Sequence, residues 1–71
     1  MNSFDDINAR EADISQLEKK LETALDKGNA LETIQLRIQL GQLLLDEGKA
    51  PQALSHFDEA QQEAQQQGEQ V

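Results

Sequence analysis

Leu40-Gly41-Gln42-Leu43-Leu44-Leu45-Asp46-Glu47-Gly48-Lys49-Ala50-Pro51-Gln52-Ala53-Leu54-Ser55-His56-Phe57-Asp58-Glu59-Ala60 is the stretch that decides the fold. Leu40 and Gly41, with Leu44 three residues on, lie at helical spacing. A break follows over residues 46–51, marked by a glycine and a proline. Ala53, Phe57 and Ala60 then recur at i, i+4 and i+7, the period of a second helix. Two helices joined by so short a break form an antiparallel pair. The small residues Gly41, Ala53 and Ala60 mark where the pair crosses closely, and Phe57 fills the space between. Leucine at position 41 is expected to overpack that crossing and alanine to be neutral, because alanine also gains helix propensity.

Working outward, the first helix of this pair spans about residues 30–47. Asn29 is its expected N-cap, with Glu32 three residues on. At 100° per residue its apolar side chains fall into two groups. Leu31, Ile34, Ile38, Gly41 and Leu45 share one side; Leu36, Leu40, Leu43 and Leu44 lie roughly opposite. A helix apolar on two sides is buried on two sides, so it should be the central element. The second helix of the pair spans about residues 51–67. Pro51 suits a first helical turn, where its missing N–H is no loss. Ala53, Leu54, Phe57, Ala60 and Ala64 make a narrow stripe, and a Gln-biased end leads to a frayed tail over residues 68–71.

A further helix precedes the pair, over about residues 3–27. Ser3, with Asp6 three residues on, reads as its cap. Phe4, Ile7, Ile14, Leu17, Leu21, Ala24 and Leu25 give a short seam, with Ile7, Ile14 and Leu21 seven apart. Lys27 and then Gly28 form a stop signal. The fold class is therefore all-α: one small three-helix domain over residues 1–71.

The central stretch resembles the tetratricopeptide repeat, whose pattern is W-x2-L-G-x2-Y, then A-x3-F, then a late Pro. Leu40-Gly41, Leu44, Ala53, Phe57 and Ala60 carry the resemblance, as a single repeat over about residues 34–67. An aromatic expected at the start of the repeat falls on Arg37, and the late Pro falls on Gln65. These departures imply that no further repeat packs on either side in the usual way. Leu21-x2-Ala24 followed by Gly28 is a weaker echo of an earlier second helix, with its linker out of register by a few residues. A generic helical hairpin with small residues at its crossing is the alternative; both readings give an antiparallel pair. In the family, one binding mode clamps a peptide carboxylate with Lys and Asn. The matching positions here, Gln35, Ile38, Gln39 and Gln42, carry neither, so that mode is not expected.

Composition narrows the functional classes. The chain carries 14 acidic against 6 basic residues, a net charge of −8. Nucleic-acid and anionic-membrane binding need a basic face, so neither is expected. There are no cysteines and one histidine, which excludes disulfides, thiolate zinc and polyhistidine metal sites. No cofactor, metal or small-molecule substrate is expected. No long apolar run or leader-like start is read at the N-terminus, so a cytoplasmic protein is the expectation. Ser55, His56 and Asp58 form a triad in composition only, since neighbouring helix positions point about 100° apart. Hence no enzyme is expected, and His56 reads as an ordinary helix residue.

What remains is protein interaction. A single repeat does not bury a continuous core, and a chain this short is marginal alone. The expected function is a small interaction module: an adaptor, assembly factor or chaperone-like subunit, acting through an apolar helix face. Self-association, with a dimer favoured, is one form of it. Leu36, Leu40, Leu43 and Leu44 are the first candidates for that face; Ile34, Ile38 and Leu45 are the alternative. A second class is an acidic inhibitor or nucleic-acid mimic using Glu11, Asp13, Glu18, Glu22 and Asp26 of the first helix. The plainer reading of those acids is a solvated surface.

Overall fold

The computed structural model describes the backbone of residues 3–69 and the side chains of residues 12–68. Three helices follow one another: α1 (Ser3–Lys27), α2 (Ala30–Asp46) and α3 (Ala50–Glu69). The chain is all-α, a three-helix unit. α2 stops one residue earlier than expected. α3 starts one residue earlier and continues through Gly68 to Glu69, where a frayed tail was expected. The expected Ser3–Asp6 cap, the Phe4–Ile7 start of the seam, and residues 70–71 lie outside the described residues or side chains.

Both turns are built the same way. Gly28 and Gly48 adopt left-handed φ values of 69° and 77°. At the first turn the Gly28 N–H donates to the Leu25 carbonyl and the Asn29 N–H to the Ala24 carbonyl. At the second, Gly48 donates to Leu45 and Lys49 to Leu44. These are two Schellman motifs, which satisfy the last carbonyls of each helix and reverse the chain. The residue after each glycine opens the next helix: Thr33 N–H donates to the Asn29 carbonyl, and Ala53 N–H to the Lys49 carbonyl. The sequence carries this identity as Leu25-Asp26-Lys27-Gly28-Asn29-Ala30 and, twenty residues on, Leu45-Asp46-Glu47-Gly48-Lys49-Ala50. Asn29 also caps α2 through its side chain. Its Oδ1 accepts from the Glu32 N–H at 3.2 Å, and its Nδ2 donates to the Glu32 carboxylate at 3.1 Å. Pro51 falls within the first turn of α3, before the first intrahelical N–H is needed.

α2 is the centre of the fold. It packs against α1 on one side and α3 on another, and among the described residues the α1 and α3 backbones do not come into contact with each other. The result is an open arc rather than a closed three-helix bundle. Its radius of gyration is 13.6 Å, against about 11 Å for a compact domain of this length. The first interface is leucine-rich: Leu21 and Ala24 of α1 meet Leu36 and Leu40 of α2, with Ile14 and Leu17 packed against them. The second is built from small residues, Gly41, Ala53 and Ala60, all buried.

Candidate interaction surface

The two apolar sides of α2 have different fates. Leu36, Leu40 and Leu44 are buried within the chain, Leu40 completely, and Leu43 is half-buried. In this structure Leu36, Leu40 and Leu44, three of the four first candidates, are core, already covered by the neighbouring helices. The other side is open. Leu31 is 67% exposed, Leu45 47% and Ile38 39%, with Ile34 half-buried between them. On α3, Leu54 is 63% exposed.

These residues share one face of the α2–α3 pair. The Phe57 ring covers Gly41, so Phe57 lies on the side of α2 that carries Ile34, Ile38 and Leu45. His56 and Gln52 instead line a groove with Ile14 and Glu18 of α1, over a floor of Leu40 and Leu44. Leu54 and Phe57 therefore face away from α1. Leu31, Ile38 and Leu45 recur every seven residues, with Ile34 three beyond Leu31. That is the spacing of a seam that packs against another helix at a shallow angle.

The helix-packing residues Gly41, Ala53, Phe57 and Ala60 come together at the α2–α3 crossing. A Cβ placed on Gly41 would lie 2.5 to 2.9 Å from three atoms of the Phe57 ring. The expectation that alanine is neutral at 41 is thus revised: the ring must move before even one methyl fits. Arg37, read in sequence only as a missing aromatic, ties the same pair together. Its guanidinium forms ion pairs with Glu59 and Glu63 of α3, and its side chain is 11% exposed. The signal was present as acids four residues apart on α3, but nothing local said which helix would face them.

The described acidic residues of α1 are dispersed in solvent: Asp13, Glu18, Glu22 and Asp26 are all exposed, and Glu11 lies outside the described side chains. Thr33, buried on α2, donates its hydroxyl to the Asn29 carbonyl at 2.8 Å. His56 is half-buried, and its Nδ1 is enclosed without a hydrogen-bond partner. Ser55 donates to the Pro51 carbonyl rather than toward His56. Among the described residues no three potential metal ligands converge, and no helix is long and apolar enough to cross a membrane. No protein-family model matches the sequence, and no curated protein or solved structure matches it significantly.

Proposed function

We propose that this chain is a small protein-interaction module, similar to a single tetratricopeptide repeat with a covering helix, acting as an adaptor or assembly subunit. The observation that carries the reading is the open apolar face of the α2–α3 pair, with Leu31, Ile38, Leu45 and Leu54 exposed together. Side chains of this size clustered on one face mark a contact surface far more often than isolated exposed ones do. The open arc is compatible with the repeat-like reading, since solenoids extend by stacking units on their neighbours instead of closing into a bundle. So is the glycine under an aromatic ring, flanked by two buried alanines.

The interaction surface is apolar rather than acidic. A photoreactive residue at Gln42, beside Ile38 and Leu45, should form protein adducts in a lysate of the cells that express the chain. The same residue at Glu22, on the acidic side of α1, should not. Apolar docking is nearly indifferent to salt, so the Gln42 adducts should persist at about 0.5 M NaCl. Adducts from Glu22 alone, lost as salt rises, would instead favour the acidic inhibitor or mimic.

A further inference from the structure

We propose that the occupant of the open α2–α3 face is a second copy of this chain, docked about a two-fold axis near Ile38. The proposal rests on the interaction-module reading and names its partner.

Charge selects the occupant. The chain has a net charge of −8, yet the α2 part of the face carries no charge and the α3 part carries a single carboxylate, Asp58, between Leu54 and Gln61. Its apolar residues, Leu31, Ile34, Ile38, Leu45, Leu54 and Phe57, are interspersed with Gln35 and Gln61, and Gln42 stands at its edge, where it also lines a groove with Leu17 and Lys20 of α1. A partner recruited by electrostatics would be basic, and such partners meet complementary charge. A nearly neutral face instead lets two equally acidic chains meet with the fewest like charges opposite each other.

The area suffices. α2 has 17 residues, so the face is about 26 Å long, and two helices side by side are about 20 Å wide. That is about 500 Å² in plan per chain. The pair reaches about 1,000 Å² before surface corrugation is added, the threshold for a specific interface.

Symmetry follows from the count of faces. α1 turns Ile14, Leu17, Leu21 and Ala24 onto α2 and leaves Leu25, half-exposed, as an isolated apolar residue near its end. Among the described residues the α2–α3 face is the one cluster of exposed apolar side chains; meeting its own equivalent, it gives a closed dimer, and a different complementary face would be needed to make a filament. The seam from Leu31 to Leu45 is centred on Ile38. An antiparallel two-fold pairing of α2 with its copy then brings Leu31 toward the partner's Leu45 and sets the two Ile38 side chains near the axis.

The test uses the full chain in sedimentation equilibrium, with Ile38→Glu and Ile38→Cys variants. The wild type should be a dimer at about 50 µM and hold or tighten as salt screens the like charges. Ile38→Glu should weaken the dimer about 100-fold or more, since two unpaired charges would be buried, while keeping its helical circular dichroism. The chain has no cysteine, so oxidised Ile38→Cys should give a covalent dimer, whereas Leu25→Cys, on α1, should not. A wild-type monomer at that concentration, a dimer untouched by Ile38→Glu, or open-ended polymers would each overturn the proposal. If Ile38→Glu unfolds, the cysteine variant decides, and absence of its cross-link is a refutation. A monomer whose Gln42 still captures other proteins rejects the second copy and keeps the interaction module; a monomer without Gln42 adducts rejects both.

Discussion

The α1–α2 and α2–α3 interfaces hold the same helix by opposite means. Toward α1, α2 offers leucines that interdigitate with Leu21, Ala24 and Leu17. Toward α3, it offers a glycine under a phenylalanine ring, and an arginine gripping two carboxylates. The first interface is filled by volume and suffers when atoms are removed. The second is set by close approach and suffers when atoms are added. A protein can therefore be damaged at Leu40 by truncation and at Gly41, the next residue, by growth.

The largest effect should come from removing volume. Leu40 is fully buried and sits where α1, α2 and the groove floor meet. Leu40→Ala should cost about 2 to 5 kcal/mol. For a domain of this size each kcal/mol lowers the melting temperature by about 4 to 8 °C. Thermal unfolding followed by circular dichroism should show a large loss or no cooperative transition. A variant that melts within a few degrees of wild type would mean that α1 does not pack on α2 as described.

Adding volume across the second interface comes next. Gly41→Leu should cost about 1 to 3 kcal/mol through overpacking. Gly41→Ala gains up to about 1 kcal/mol of helix propensity, but its methyl meets the Phe57 ring. The double variant Gly41→Ala/Phe57→Leu should therefore be more stable than the two single changes predict when added. An additive cycle would show that the ring and the glycine do not touch.

How much of this was legible can be judged from these residues. Both helix stops were plain, because a glycine free to take a left-handed φ at the end of an apolar-periodic run is local chemistry. Gly41 and Phe57 were legible as a pair, because small-residue spacing implies a crossing. The fate of the two sides of α2 was not: Leu36 and Ile38 are equally apolar, and only the position of α1, a long-range fact, makes one core and the other surface. The repeated Leu-Asp-x-Gly-x-Ala turn was a signal available in the sequence, and it explains why the linkers match even where the repeat register fails. Arg37 occupies an expected aromatic site, and its true partners lie 22 and 26 residues away.

Arg37 supplies the third prediction. Arg37→Ala should cost about 1.5 kcal/mol, the scale of a charge-assisted hydrogen bond in a partly shielded site. Lost packing of its aliphatic stem against the helices adds to this. Arg37→Met keeps most of the stem, so its loss should be smaller, and the difference between the two separates packing from charge. The penalty of Arg37→Met should shrink as salt rises, since ion pairing at Glu59, about half exposed, is screened. A penalty for both variants that is equal and independent of salt would show that the ion pairs add nothing to the α2–α3 contact.

The smallest effect is expected at His56, which belongs to neither interface. It stands at the edge of the groove between α1 and α3, near Lys49 and Gln52, with an enclosed Nδ1 that has no partner. A buried polar atom left without a hydrogen bond stabilises nothing by being there. Replacing the ring by a glutamine amide removes that atom and places a flexible polar group at a half-open edge. His56→Gln should therefore change stability by no more than about 0.5 kcal/mol, the range of ordinary surface substitutions. It should also leave association unchanged, because His56 faces α1 while the open apolar face lies on the opposite side of α3. Melting curves and sedimentation on the one variant measure both. If His56→Gln keeps its stability but loses association, the groove and not the α2–α3 face is the contact surface, and the division of α2 into a covered and an open side no longer explains how the protein binds.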